Sequence, residues 1–283
     1  MEKALKKYWP IFLLPTVIAF IIGFIIPFVE GLYLSFCQFT TVNNAKFIGI
    51  SNYIKSLSDP QFADSFWFTF RFAICSILSI NIIAFIIALC LTKKFAGNNF
   101  LRAVFFMPNL IGGIVLGYIW QTLINCVLSL VGKPLLALNS PAGFWGLIIL
   151  MCWQQIGYMM IIYIAGLNSV PDSLIEASKI DGATDLQTLF KIKIPMVMPT
   201  ITICIFLTLT NSFKLFDQNL ALTSGDPNHQ TEMLALNIYN TFYARAGAQW
   251  KGLGQAKAVI FFIIVILISF IQLKLSRDSE VQQ

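Results

Sequence analysis

Six long apolar stretches constrain this chain more than any other feature of its sequence. A helix needs about 20 mostly apolar residues to cross the hydrocarbon core of a bilayer. The stretches of that kind are residues 9–36, 66–91, 103–123, 144–167, 197–216 and 256–273. Because lipid cannot hydrogen-bond to the backbone, each stretch must be helical. We therefore predict an all-α membrane protein with six transmembrane helices, forming a single transmembrane domain over residues 1–283.

The composition supports this class. Hydrophobic residues make up 57% of the chain and charged residues only 11%, too few to cover a soluble domain. The net charge of +6 could suggest nucleic-acid binding, but the basic residues flank the apolar stretches and form no single patch. We expect membrane lipid, and no nucleic acid, among the partners.

The basic residues also predict an orientation. Eleven of the 19 Lys and Arg residues flank the spans on one side. By the positive-inside rule that side is the cytoplasm. Both termini and the segment 168–196 are therefore predicted to be cytoplasmic.

The segment between the fourth and fifth spans is short, polar and amphipathic. Pro171 fits the first turn of a helix, and Gly182 can adopt the positive φ that reverses the chain after it. Thr184 and Gln187 have the spacing of a capping box, and Pro195 should end the second helix. Two short helices of this kind could lie on the lipid surface or dock into a groove of a soluble partner.

The spacing within this segment is specific. It reads Glu176-Ala177-Ser178, three residues, Gly182, nine residues, Ile192, Lys193 and Ile194-Pro195. This pattern resembles the EAA motif of ATP-binding-cassette importer permeases, with Ser178 and Ile194 as mild departures. Two further runs resemble the carbohydrate branch of that family: Ile180-Asp181-Gly182-Ala183, and Phe213-Lys214-Leu215-Phe216-Asp217 followed by Leu222-Thr223.

The resemblance implies a type I, MetI-like importer permease of the bacterial cell membrane. Its expected partners are a second permease subunit in a heterodimer, a homodimeric cytoplasmic ATPase and an extracellular solute-binding protein. In this family the motif docks into the ATPase and transmits its closure to the spans. The residues that would couple to the ATPase are Glu176, Ala177, Ser178, Asp181, Gly182 and Ala183.

No catalytic motif is found. The chain contains no GxxxxGK[ST] phosphate loop, no HExxH and no GxSxG. Its six cysteines form no CxxC pair, and His229 has no neighbouring ligand in the sequence. We therefore predict a protein that is not an enzyme, without catalytic residues, metal or cofactor, and expect ATP hydrolysis on a separate subunit.

Polar uncharged residues inside the fourth and fifth spans suit a neutral polyol, because amides and hydroxyls can bond sugar hydroxyls beside aromatic rings. The same residue types also join helices to one another. By resemblance to the larger maltose-importer permease, the candidate substrate contacts are Gln154, Gln155, Tyr158, Thr208, Ser212 and Leu215.

These features predict half of the translocation pathway of an ATP-driven carbohydrate importer. A secondary carrier or channel is the alternative. It is weakened because the centres of the spans hold almost no ionisable groups, and Arg71, Lys214 and Lys257 lie near span ends, where they could snorkel. A permease of the same fold for a non-sugar solute, such as a polyol phosphate, is the other alternative.

Overall fold

The computed structural model describes residues 13–93 and 97–277. Within them, six helices are long and apolar enough to cross a membrane, which confirms the predicted fold class. They are α1 (Leu13–Leu34), α3 (Pro60–Leu91), α5 (Gly113–Leu130), α6 (Ser140–Asn168), α8 (Asp185–Phe213) and α11 (Ala248–Arg277). Residues 9–12 of the first predicted span lie outside the described residues.

Shorter elements connect the spans. The helices among them are α2 (Ser51–Leu57), α4 (Asn98–Phe106), α7 (Asp172–Ile180), α9 (Asp217–Leu222) and α10 (Leu234–Tyr239). A two-stranded antiparallel ribbon, β1 (Cys37–Gln38) and β2 (Lys46–Phe47), follows α1.

The chain divides into two compact units. Of the described residues, those up to Pro60 form the first unit together with Ile238–Phe262, and those within Gln61–Asn237 form the second together with those from Ile263 onward.

The first unit is held together by aromatic and polar contacts. The rings of Phe28 and Phe262 meet edge to face, with centroids 5.2 Å apart. Lys257 is fully buried, and its Nζ donates to Asp59 Oδ2 at 2.7 Å and to Thr241 Oγ1 at 3.0 Å. Lys257 therefore does not snorkel; its charge is compensated inside the protein.

Helix α6 is the most buried of the six membrane helices: 61% of its most apolar 18 residues are buried, against 33% or less in the other five. Its inward side chains form a core with α3 and include Leu147, Leu150, Met151, Met160 and Tyr163. Gly157 lets α4 cross at very short range, because a Cβ there would overlap the carbonyl of Phe105. Small residues permit such close backbone approach between membrane helices.

The third predicted span, 103–123, is displaced. Helix α4 ends at Phe106, a 3₁₀ turn covers Met107–Leu110, and α5 begins only at Gly113. Ile111 and Gly112 both have extended backbone, so α4 and α5 are separate helices, and Pro108 has no N–H with which to bond a carbonyl of α4. The predicted span joined two helices across this break.

Helix α8 contradicts a second expectation, since Pro195 does not end it. The helix continues from Asp185 to Phe213. A π-turn at Leu189–Lys193 precedes the proline. Its wider i→i+5 bonding accommodates Pro195, which has no N–H, directly after the π-turn. Pro199 lies further along the same long helix.

Replacing Gly157 with valine is expected to destabilise the second unit by about 1–3 kcal/mol or more, because the new side chain must displace the α4 backbone. Thermal unfolding of the purified chain in detergent measures the effect. Gly23→Val is the matched control, since nothing lies within 4 Å of a Cβ at that span position. Equal unfolding temperatures for the two variants would contradict the described crossing.

Candidate functional site

The EAA-like segment, residues 176–195, consists of the second half of α7, a tight turn at Gly182 and the first residues of α8. Pro171 is the N-cap of α7 and does not lie within its first turn as predicted. Gly182 has φ of +76°, which confirms the predicted left-handed residue after the helix. The Ala183 N–H donates to the Ser178 carbonyl at 2.9 Å and closes the C-terminus of α7.

The predicted capping box at the start of α8 is confirmed. The Thr184 N–H donates to Gln187 Oε1 at 2.8 Å, and the Gln187 N–H donates to Thr184 Oγ1 at 3.3 Å. These two bonds satisfy amides that the first turn of a helix leaves unpaired. They set the direction in which α8 leaves the turn.

Ser178, which departs from the alanine of the motif, has a structural role. Its side chain is buried, and its Oγ donates to the Ile175 carbonyl at 2.8 Å. The same oxygen lies 3.0 Å from Thr188 Oγ1 on α8. One hydroxyl pair therefore ties the two helices together and stiffens the turn.

The rest of the segment is open to solvent or to a partner. Glu176, Ala177, Asp181 and Gly182 are exposed, and Ala183 is half-buried. Three large apolar side chains are also exposed: Ile180 at 85%, Leu186 at 68% and Phe190 at 64%. Exposed apolar groups beside an acidic side chain suit docking to another molecule.

Gln154 is buried and fully engaged within the second unit. Its Nε2 donates to the Ile111 carbonyl at 3.2 Å, and its Oε1 accepts from Gln218 Nε2 at 2.7 Å. Ile111 lies in the break between α4 and α5, so the amide satisfies a carbonyl that the break leaves without a helical partner. Gln154 therefore holds this break against α6.

Gln155, the next residue, is more open. Its Oε1 accepts from Asn211 Nδ2 at 3.4 Å, across from α8. Within the part of the chain that the structure describes, its Nε2 has no hydrogen-bond partner. This amide can donate to a ligand without breaking an existing bond.

Thr208 belongs to a buried network. Asn81 of α3 donates through Nδ2 to Thr208 Oγ1 at 3.2 Å and accepts at Oδ1 from the Tyr163 hydroxyl at 2.8 Å. Three long helices are joined at this point. Thr208 therefore makes hydrogen bonds between helices. Such bonds are the other role, besides sugar binding, that polar residues inside these spans can have.

The other three candidates differ from one another. Tyr158 is half-buried and packs against the core. Leu215 is buried, and so is Ser212, whose Oγ has no partner in the described structure. An unpaired buried hydroxyl is costly unless some state of the protein supplies a partner.

Sequence reasoning did not select Gln218 or Asn211 as site residues, although each bonds a predicted one. Gln218 lies in α9, beyond the predicted end of the fifth span. Helix α9 packs closely on α5: a Cβ at Gly117 would lie 2.5 Å from Ala221 Cβ, and Gln121 Nε2 donates to the Leu222 carbonyl at 3.0 Å. In the sequence, the Phe213–Asp217 run and the Leu222-Thr223 pair after it indicated that this region matters.

The sequence is similar to those of known permeases over almost its full length. A starch degradation products transport permease (AmyD, described as probable) from Thermoanaerobacterium thermosulfurigenes is 44% identical over 97% of this chain and 95% of its own. The multiple sugar-binding transport permease MsmF of Streptococcus mutans is 33% identical over 99% of each chain.

The fold is also similar to a solved structure. A chain of a bacterial alginate ABC transporter, in complex with an alginate pentasaccharide-bound periplasmic protein, superposes with a TM-score of 0.81. The match covers 98% of this chain and 97% of that one at 20% identity, which establishes the fold alone.

Residues 80–280 match the family model of the binding-protein-dependent transport system inner membrane component. These residues include the EAA-like segment and every predicted site residue. The importer-permease resemblance predicted from that segment is thereby confirmed. This multi-pass membrane chain belongs to the family of inner membrane components of binding-protein-dependent transport systems.

Proposed function

We propose that the chain is a permease subunit of an ATP-driven importer for oligosaccharides released from starch. The observation that carries the proposal is the full-length similarity to a starch degradation products permease, at 44% identity. The EAA-like segment supports the energy source, because it is a rigid, exposed helix pair suited to receive motion from another subunit.

The proposed assembly contains a second, similar permease, two copies of a cytoplasmic ATPase and an extracellular solute-binding protein. ATP hydrolysis then takes place on the separate ATPase subunits. Both termini and the coupling segment 168–196 face the cytoplasm, and residues 1–283 serve as one transmembrane domain. The excess of basic residues on one side of the spans supports this orientation.

The proposed substrate path runs beside α6 and α8, past Gln154, Gln155, Tyr158, Thr208, Ser212 and Leu215. Gln155 is the member best placed to bind sugar, because its Nε2 has no partner in the described residues and its side chain is partly exposed. Gln154 and Thr208 are engaged in interhelical bonds and act as supports for the path.

Uptake by the reconstituted complex tests the function. Proteoliposomes holding both permeases and the ATPase, supplied with the binding protein, should accumulate radiolabelled maltotriose only when ATP reaches the ATPase side. Accumulation by this chain alone, without ATPase or ATP, would instead establish a carrier. Co-purification of the tagged chain from its native membrane identifies the subunits.

Replacing Gln155 with leucine should raise the maltotriose concentration for half-maximal uptake by about tenfold, the equivalent of roughly one lost hydrogen bond. Thr122→Val is the control, since that span hydroxyl donates only to the Tyr118 carbonyl of its own helix. Unchanged half-saturation in Gln155→Leu would remove this residue from the path.

A further inference from the structure

A cavity of about 540 Å³ opens in the second unit, away from the residues of the proposed path. Its walls are the first three turns of α3, the first residue of α6 and the loop before α10. The lining includes Asp64, Trp67, Arg71, Asn228 and His229. Its volume lies within the range of about 300–1,000 Å³ that is typical of small-molecule sites.

The cavity lies at the opposite end of α6 from the coupling segment. Helix α6 runs from Ser140, which lines the cavity, to Asn168, four residues before α7 begins. Its 29 residues span about 43 Å, enough to cross the membrane. If the coupling segment is cytoplasmic, as proposed above, the cavity faces the outside.

One side of α3 supplies most of the polar groups. Gln61, Asp64, Phe68 and Arg71 follow one another at helical spacings of three or four residues and line the same wall. Trp67 stands beside them with 58% of its surface exposed. This wall presents an acid, a base, an amide and a broad aromatic face together.

Several of these groups have hydrogen-bonding capacity to spare. Arg71 donates through Nε to the Trp67 carbonyl at 3.3 Å, while its two terminal nitrogens have no partner among the described residues. The exposed Asp64 carboxylate likewise has no partner in the described parts of the chain. Both side chains can bond a ligand without breaking an existing contact.

The opposite wall is a loop with an uncommon backbone. Asn228 and His229 have φ of +49° and +62°, in the left-handed region that is uncommon for residues other than glycine, although Asn and His enter it more often than most. Such conformations persist where the surrounding structure holds them in place. Both side chains are exposed toward the cavity mouth.

Buried hydrogen bonds hold this loop. Glu232 is fully buried, and its Oε2 accepts from Gln61 at 2.8 Å and Asn237 at 3.0 Å, with His229 Nδ1 at 3.3 Å. Asn219 Nδ2 donates to the Thr231 carbonyl at 2.8 Å. The loop is therefore held against α3, α9 and α10. Because its backbone is already fixed, binding a ligand costs it little conformational entropy.

The chemistry of the two walls selects a ligand class. Planar amide, carboxylate and guanidinium groups bond pairs of neighbouring hydroxyls, and an exposed indole covers the apolar face of a pyranose ring. Asp64 and Arg71 offset each other in charge, which disfavours a strongly anionic or cationic ligand. A neutral saccharide fits both features.

We propose that this cavity is a second saccharide-binding site, distinct from the path beside α6 and α8. It holds one end of a neutral oligosaccharide at the outer mouth of the permease before the sugar enters the membrane. Trp67 stacks on a sugar ring, and Asp64 and Arg71 bond its hydroxyls. The outer placement rests on the proposed function, whereas the site itself rests on the cavity.

Direct binding tests the site. The complex is reconstituted in nanodiscs without binding protein, and maltotriose is titrated by calorimetry and by saturation-transfer NMR. Trp67→Ala and Arg71→Gln should each weaken maltotriose binding by about tenfold or more. Trp145→Ala, an equally exposed tryptophan outside the cavity, should bind as wild type does.

Several outcomes overturn the proposal: no maltotriose binding by the wild-type complex, or Trp67→Ala and Arg71→Gln complexes that bind as tightly as wild type. Loss of binding in Gln155→Leu with no loss in Trp67→Ala would assign the sugar to the path alone. A Trp67→Ala variant that loses only affinity for the binding protein would show that the cavity contacts that protein instead.

ATP-dependent maltotriose uptake by the same preparation separates the two proposals. Uptake without cavity binding refutes the second site and leaves the importer function standing. Cavity binding without uptake supports the site and refutes the proposed function for this sugar. Unchanged size-exclusion profiles and basal ATPase rates show that the variants are folded.

Discussion

Replacing Glu176 with lysine is expected to reduce ATP-driven maltotriose uptake by the assembled importer by at least about tenfold. Coupling between two sites typically amounts to about 1–3 kcal/mol, or roughly 5- to 150-fold. Glu176 is exposed on α7, on a turn stiffened by the Gly182 reversal and the Ser178–Thr188 pair. Within the described residues the Glu176 side chain makes no hydrogen bond, so a reversed charge there disrupts docking without breaking a contact of the fold.

The measurement compares uptake with ATP hydrolysis in proteoliposomes. Hydrolysis that no longer responds to loaded binding protein, together with lost uptake, marks uncoupling. Asp185→Lys is the control, since Asp185 is also acidic and exposed in this segment but is not a position that the motif specifies. Wild-type uptake in an assembled Glu176→Lys complex would refute the proposed coupling role.

Replacing Asp59 with asparagine is expected to lower the free energy of unfolding by about 3–5 kcal/mol, because it removes the carboxylate that compensates a fully buried ammonium group. Lys257 has no exposed surface, and its Nζ lies 2.7 Å from Asp59 Oδ2. The expected readout is a marked fall in the thermal unfolding temperature in detergent, with reduced yield from the membrane.

The double variant Asp59→Leu, Lys257→Met provides the matched comparison. Removing both charges leaves no unpaired ion, so this variant should regain most of the stability that Asp59→Asn loses. If the double variant is no more stable than Asp59→Asn, the loss arises from packing and the charge pair is not its cause.

Local signals in the sequence predicted the parts of the fold that neighbouring residues decide. The six apolar stretches predict helices, because in lipid only a helix lets a single segment satisfy all of its backbone hydrogen bonds by itself. The turn at Gly182 and the Thr184–Gln187 capping box were also predictable, since each depends on residues within four positions of one another.

The local rules gave wrong results where two tendencies compete. Hydropathy alone predicted one span over parts of α4 and α5, although the helix is interrupted there, at Pro108 and the glycines after it. Conversely, a proline rule predicted an end at Pro195, where a π-turn allows the helix to continue. Neither choice is decided by composition, because each depends on how the freed backbone groups are bonded.

The sequence by itself determined the class of protein, the number of its membrane helices, and the Gly182 turn and capping box of its coupling segment. Only the tertiary structure decided that Lys257 is buried against Asp59, that Ser178 binds Thr188, and that the loop at His229 closes a cavity with α3. The physical reason is the distance along the chain over which each interaction acts. Hydrophobicity and caps act along the chain, whereas the partner of a buried polar group is fixed by which helices pack together.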